Sequence, residues 1–470
     1  MAESQPKRNP KAPRQQVPVL EPEVRNRGYE EVALGFEQTQ VRVEALRCLN
    51  CKDAKCVEAC PLHIDIKTFI LRMVEGSVQG AFDTISEQSP FPGVCGRVCQ
   101  HELFCESACL LGKKLDPVAI GSLERFAADY NREFGENGAK RYPQPSGPKV
   151  ALVGSGPAAL IAAFDLVRKN YRVTVFEALH ELGGVLAYGI PPFRLPREIL
   201  HEEINRLRRM GVQFETDVIV GRTVSVQELL EEEGFAAIFI GTGAGLPWML
   251  NVPGENLIGV YTANEFLTRI NLMHAYDANS DTPVRVGEKV FVIGGGNSAM
   301  DAARWAKRLG SETTILFRRG RAELKARLEE IEHAEEEGVR FEFLAAPVRI
   351  FGDERGCVRE IECIRMELGA PDSSGRPAPI PIAGSEYRVA ADTVVAAIGQ
   401  GPNPTLQRAT PQLLTSKGKI NIDAVGKTSM DMVYAGGDVV RGGSTVILAM
   451  RDGRAAAEAI DEALRAKGIQ

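Results

Sequence analysis

Eight of the ten cysteines fall between Cys48 and Cys109, in two groups of four. The first group runs Cys48-x2-Cys51-x4-Cys56-x3-Cys60 and closes on Pro61; the second runs Cys95-x3-Cys99-x5-Cys105-x3-Cys109. Zinc sites reuse C-x2-C pairs, commonly with histidine partners, whereas closely spaced cysteines ending in Cys-Pro are a ferredoxin-type signature. Iron is held by soft anionic sulfur, and eight thiolates suffice for two 4Fe–4S clusters. Clusters in such pairs interleave, the Cys before Pro serving the other cluster. On that rule Cys48, Cys51 and Cys56 bind one cluster, completed by a distant cysteine, Cys109. Cys60 joins Cys99 and Cys105 in the second. Its last ligand is either Cys95 or a non-cysteine donor, for which Glu124 is the candidate on the helix just beyond the motif. His63 and His101 read as surface or supporting residues, and Cys357 and Cys363 as ordinary half-buried thiols.

Two Gly-rich turns follow. Gly154-Ser155-Gly156-Pro157-Ala158-Ala159 succeeds an apolar strand and opens a helix, the place where backbone N–H groups approach a pyrophosphate at the positive helix end. Glu177 closes the next strand, where a carboxylate accepts from a ribose diol. The second turn is Gly294-Gly295-Gly296-Asn297-Ser298-Ala299, and its following strand ends in Phe317-Arg318-Arg319-Gly320-Arg321. A carboxylate there would repel a 2′-phosphate, whereas a planar guanidinium binds it bidentately. The second site is therefore predicted to take NADP(H). The layout resembles that of flavoprotein reductases with two dinucleotide sites. In that resemblance the first turn takes FAD, Gly437 and Asp438 meet its ribityl or pyrophosphate region, and Gly183 and Gly184 line the flavin edge.

These residues need a scaffold of three parts. Residues 30–142 read as a helical iron–sulfur domain, with apolar faces such as Ile66, Phe69, Ile70 and Met73 at helical spacing. Tyr142-Pro-Gln-Pro-Ser-Gly-Pro148 is a linker. Beyond it, strands alternate with amphipathic helices, the α/β pattern of parallel sheets. Two βαβ units are predicted: Lys149–Val153, helix 157–169, Arg172–Phe176; and Lys289–Ile293, helix 298–309, Thr313–Phe317. Short apolar strands running into glycine follow at 237–241, 393–398 and 433–435. The expected division is an FAD domain over 149–248 and 393–470, with an NADP domain over 249–392 inserted into it. Residues 1–29, polar and rich in Pro and Arg, read as a mobile arm. Net charge −6 gives no reason to expect nucleic acid, and no apolar run is long enough for a membrane span. Clustered thiols and no leader-like stretch imply a reducing cytoplasmic setting.

Beyond these readings, Cys48-Leu-Asn-Cys51, Val94-Cys-Gly-Arg-Val-Cys99, Cys105-Glu-Ser-Ala-Cys109, Ala119-Ile-Gly-Ser-Leu-Glu-Arg125, Gly183-Gly-Val-Leu-Ala-Tyr-Gly-Ile-Pro191 and Gly294-Gly-Gly-Asn-Ser-Ala-Met-Asp301 resemble the small-subunit family of NADPH-dependent glutamate synthase. The FAD-bearing large subunit of the bifurcating NADH-dependent ferredoxin:NADP oxidoreductase is similar too. The resemblance spans about Val32 to Ala459. It implies that a side-chain oxygen from the helix of Glu124 can complete the second cluster, leaving Cys95 in support. It also implies electron flow from NADPH through FAD and two clusters to a partner redox subunit or a ferredoxin. The chain departs from the pattern at Ala322-Glu-Leu-Lys-Ala326, where relatives carry Met-Pro-Ala, and at Pro192. No room is left for an FMN barrel that would itself make glutamate, so the expectation is an electron-input module.

Overall fold

The computed structural model describes residues 7–135, 142–277, 279–372 and 375–469; the parts of the expected arm and iron–sulfur domain at 1–6 and 136–141, and the last residue, lie outside these. Helices Gln38–Arg47, Ile66–Val74, Val78–Gln88, Pro92–Val98 and Ile120–Phe134 form the N-terminal domain. Ile66–Val74 illustrates why: Asp65 caps it by accepting from Thr68 N at 3.1 Å, Ile66, Phe69, Ile70 and Met73 bury one face, and Gly76 follows in the left-handed region. Each buried large side chain on that face contributes about 1.5–3 kcal/mol.

Two five-stranded parallel sheets follow. The first runs Val433–Ala435, Ala237–Ile240, Lys149–Val153, Arg172–Phe176, Gln213–Glu215. The second runs Val260–Thr262, Thr393–Ala396, Lys289–Ile293, Glu312–Phe317, Arg340–Phe343. The second sheet lies within the chain of the first, and the connections cross side by side where Leu246–Pro247 pairs with Gln400–Gly401. One expected boundary is corrected here. Thr393–Ala396 pairs with Lys289–Ile293 and Val260–Thr262, so it belongs to the second sheet, and the chain returns to the first only after Ala396. A short apolar strand running into glycine suits either sheet, and the partner alone decides. In the chain between Arg340–Phe343 and Thr393–Ala396 an antiparallel sheet is added, Ala345–Gly352, Val358–Pro371, Pro377–Pro381 and Tyr387–Ala390. Sequence reading saw there only an alternating stretch. Cys363 is fully buried within it and Cys357 half-buried.

The expected mobile arm is also corrected. Residues 7–32 lie along the chain's own surface: Asn9 N donates to Leu46 O at 2.9 Å, Leu20 N to Val32 O at 3.0 Å, and buried Arg25 reaches Glu336 at 2.6 Å. Its arginines find carbonyls and carboxylates on three elements, which a composition-based reading takes for solvated charge. The iron–sulfur domain shares one continuous apolar core with the first sheet and its helices. A cross-domain cap fixes their orientation. Glu203, on helix Arg197–Arg209, accepts from Gly93 N at 2.5 Å and Val94 N at 3.2 Å, capping the helix that carries Cys95 and leads to Cys99.

Burial pushes Glu203 up to about 8 despite the two N–H donors. A raised carboxylate binds more protons folded than unfolded, so its contribution to stability is present at low pH and is lost as pH rises from about 4.5 to about 8. Glu203→Gln is expected to flatten the fall of Tm across that window relative to wild type. Parallel Tm-against-pH curves would refute the assignment.

Candidate functional site: two thiolate cavities and a shared nucleotide cleft

The cysteines converge on two small cavities. Cys48, Cys51, Cys56 and Cys109 line the first, with Ile66, Ile70, Leu111, Val118 and Ile120 as apolar walls. Cys109 is brought there by a buried pair. Arg47 holds Glu44 at 2.6 Å and donates to Asp116 O at 2.6 Å, while Glu44 accepts from Ala119 N at 2.8 Å, tying the loop after Cys109 to the helix that ends at Cys48. Cys60, Cys99, Cys105 and Glu124 line the second cavity, together with Cys95. Helices Pro92–Val98 and Ile120–Phe134 approach closely there because Gly96 has no side chain; a Cβ would stand 2.6 Å from the Arg125 backbone.

The donors fit clusters. Among the described residues no three His, Cys, Asp or Glu side chains converge closely enough for a single ion, whereas a polynuclear cluster needs them spread around a wider cavity. Burial raises every thiol of the second cavity, and Cys56 in the first reaches about 12. Such thiols become thiolates only against a compensating cation. Glu124 is 5% exposed, and its Oε1 has no hydrogen-bond partner among the described residues. A buried carboxylate oxygen facing three thiols is unfavourable unless something positive sits between them. Buried His101 has Nε2 3.7 Å from Glu124 Oε2 and without a hydrogen-bond partner among the described residues, while His63 is exposed. Cys95 Sγ lies 3.9 Å from Met450 Sδ of the long C-terminal helix Val446–Ala466.

Both Gly-rich turns open into one cleft of about 1410 Å³. At the first, a Cβ on Gly156 would meet no protein atom within 4 Å, while Gly154 adopts φ +95° and passes 2.7 Å, measured from its would-be Cβ, from Gly241 O. The backbone is thus bared toward the cleft and closed toward the sheet, as a bound pyrophosphate requires. Glu177 is buried and anchors the turn: Oε2 accepts from Ser155 N at 2.9 Å and Ser155 Oγ at 2.5 Å, and Oε1 from Leu179 N at 2.9 Å. Ser155 Oγ in turn accepts from Gly183 N at 2.9 Å, so the expected flavin-edge glycine is tied to the phosphate turn. Gly184, Gly437 and Asp438 border the same cleft. Burial pushes Asp438 up to about 6, and its Oδ1 has no partner among the described residues, leaving an acceptor toward the cleft for a hydroxyl donor.

The second turn repeats the arrangement. Gly294 is left-handed and a Cβ on Gly296 would meet nothing within 4 Å. Gly295, Asn297, Ser298, Arg318 and Arg319 all border the cleft, but the two arginines differ. Arg319 is buried and committed, donating to Pro377 O at 2.8 Å and pairing with Asp372 at 2.6 Å. Arg318 is exposed, and is lowered by partial burial and by its neighbours Arg319 and Arg376. Arg376, in the loop leading into strand Pro377–Pro381, is not found from sequence because only tertiary folding brings it to the cleft.

Two family models match. The model described as dihydropyrimidine dehydrogenase domain II, 4Fe-4S cluster, covers residues 25–136, and that described as pyridine nucleotide-disulphide oxidoreductase covers residues 148–453. The NADP(+)-dependent formate dehydrogenase subunit beta of Moorella thermoacetica is 38% identical over 437 residues, 88% of this chain and 60% of that protein. The NADPH-Fe(3+) oxidoreductase subunit beta of Geobacter sulfurreducens is 38% identical over 87% of this chain and 63% of its own length. The chain thus spans about three fifths of these two relatives. The NADPH glutamate synthase small chain of Escherichia coli is 33% identical over 93% of this chain and 94% of its own length. Among solved structures, Mycobacterium tuberculosis FprA in complex with NADPH has a TM-score of 0.57 at 22% identity, over 69% of this chain and 86% of FprA, a likeness of fold.

Proposed function

The chain belongs to the pyridine nucleotide-disulphide oxidoreductases and, among them, to the family of the NADPH glutamate synthase small chain, and from that premise we propose that it oxidises NADPH through FAD and delivers single electrons through two 4Fe–4S clusters to a partner subunit. The observation that carries the reading is the gathering of Cys48, Cys51, Cys56 and Cys109 around one cavity and of Cys60, Cys95, Cys99, Cys105 and Glu124 around another, beside a cleft that both nucleotide turns share. NADPH gives up a pair of electrons as a hydride and a cluster accepts one, so a flavin supplies the conversion between them.

The chain's own residues position and neutralise. Gly154–Ala158 cradle the FAD pyrophosphate on the helix Pro157–Arg168, Glu177 braces that turn, and Asp438 accepts from the ribityl chain. Gly294–Ser298 do the same for NADPH, with Arg318 and Arg376 at its 2′-phosphate. Cys60, Cys99, Cys105 and Glu124 hold the cluster nearer the flavoprotein part, since Ile447 of the C-terminal helix lines that cavity. Cys48, Cys51, Cys56 and Cys109 hold the outer one, beside half-buried thiols and the exposed Leu49. The FAD domain takes 149–248 and the chain after Ala396, and the NADP domain takes 249–396. No general acid–base pair is required for this route.

The partner is the large subunit of a glutamate synthase-type complex in this reading, supported by the near end-to-end match with the Escherichia coli small chain. The formate dehydrogenase and Fe(3+) reductase subunits favour a second reading, in which the same donor half serves another acceptor, such as a ferredoxin-reducing flavoprotein. Among the described residues no helix is long and apolar enough to cross a membrane. An anaerobic NADPH titration of the reconstituted protein, followed by visible absorbance and EPR, tests the proposal. Bleaching of the flavin with reduction of at least one cluster is expected. Bleaching with both clusters left oxidised until a stronger reductant is added would move the ferredoxin-linked reading ahead, and failure to bleach would reject both.

A further inference from the structure

Lys325 and Arg327 bridge from the second nucleotide turn to the iron–sulfur domain. On one side Lys325 N donates to Gly295 O at 2.8 Å and Arg327 N to Asn297 Oδ1 at 3.0 Å. On the other, Gln100 Nε2 donates to Lys325 O at 3.3 Å, Arg327 Nη1 donates to the carbonyl of Arg97, and Arg327 Nε stands 3.9 Å from Glu102. Residues 97–102 surround Cys99, so the Arg327 guanidinium lies against the wall of the second cavity. It is 9% exposed, and its Nε has no hydrogen-bond partner among the described residues. The nearest carboxylate to Arg327, Glu329 at 2.8 Å, is half-buried and offsets the guanidinium only in part.

We propose that Arg327 is a positioning residue for electron transfer that sets the potential of the second cluster. The inference rests on the reading that Cys60, Cys99, Cys105 and Glu124 hold that cluster. One-electron reduction adds a negative charge, with no bond made and no proton needed. A guanidinium cannot lose its proton at working pH, so its charge beside Cys99 stabilises the reduced form more than the oxidised and raises the potential. Because the main chain at Lys325 and Arg327 is tied to Gly295 and Asn297, that charge is held by the turn proposed to bind NADPH.

Anaerobic potentiometric titration of the holoprotein, read by EPR for the clusters and absorbance for the flavin, provides the test. In Arg327→Gln one cluster's reduction equilibrium is expected to fall about tenfold, a shift of about 59 mV for one electron, with the flavin and the other cluster unmoved. Arg327→Lys, keeping the charge, is expected to hold most of the wild-type value. Two clusters present with neither potential shifted in Arg327→Gln overturns the inference while leaving the ligand reading intact. A wild-type protein with a single cluster overturns the ligand reading and the inference with it. Should Arg327→Gln fail to retain its clusters, Glu329→Gln decides: loss of the opposing carboxylate should raise the same cluster's potential, and no change rejects the proposal.

Discussion

Exchange of Glu124 for alanine is expected to remove about half of the cluster iron, while flavin content and the bleaching of flavin by NADPH persist. The argument is one of unmet need. Glu124 sits near the start of helix Ile120–Phe134 with its carboxylate facing Cys60, Cys99 and Cys105, and its Oε1 has no hydrogen-bond partner among the described residues. A carboxylate oxygen held away from water without a partner is costly, and His101 Nε2, 3.7 Å from Oε2, makes no hydrogen bond among the described residues. A ligated iron would answer the need. Cys95 provides the control: it lines the same cavity, with its sulfur 3.9 Å from Met450 Sδ. Cys95→Ser is expected to keep full iron. Iron and acid-labile sulfide per flavin, with EPR of the dithionite-reduced protein, read the outcome. Full iron in Glu124→Ala together with loss in Cys95→Ser would exchange the two roles.

How far these sites could be read without the structure depends on what each residue's role consists of. The cysteine groups and the two glycine turns are local: a cluster loop or a phosphate turn is built from neighbours in the chain, so their spacing reveals them. The strands Lys149–Val153 and Lys289–Ile293, each followed by its turn and helix, were legible for the same reason. Sequence leaves the choice between Cys95 and Glu124 open because both helices bring a donor to the same cavity, and the structure adds that Glu124 Oε1 has no hydrogen-bond partner among the described residues. Arg376 was invisible because a loop arginine acquires meaning only when the antiparallel sheet folds it toward Arg318. The N-terminal arm failed in the opposite direction. Its charges looked solvated, yet Arg14 reaches Glu106 at 2.7 Å and Arg25 is buried against Glu336. Strand Thr393–Ala396 shows the remaining limit, since an apolar tetrapeptide carries no mark of the sheet it will join.

Replacing Arg318 with alanine is expected to raise the KM for NADPH about tenfold to a hundredfold, the loss of one charge-assisted hydrogen bond of about 1.5–3 kcal/mol, with little change for NADH. Partial burial lowers Arg318, and its neighbours Arg319 and Arg376 lower it further while Asp372 acts the other way. A dianionic phosphate at the exposed Arg318 relieves that repulsion. Arg319 cannot be the principal contact, because Asp372 and Pro377 O already hold it. Its loss should lower the Tm by untying the added antiparallel sheet from the strand Glu312–Phe317, and should affect both nucleotides. Arg318→Ala should instead leave the Tm unchanged or slightly higher, since it removes repulsion and breaks no internal bond. The 2′-phosphate is remote from the hydride, so its binding is equal in ground and transition states, and kcat at saturating NADPH should hold. The ratio of kcat/KM for NADPH to that for NADH is therefore the decisive quantity. If Arg318→Ala left that ratio unchanged while raising both KM values, the exposed arginine would be a general anion contact, and discrimination would fall to Arg376.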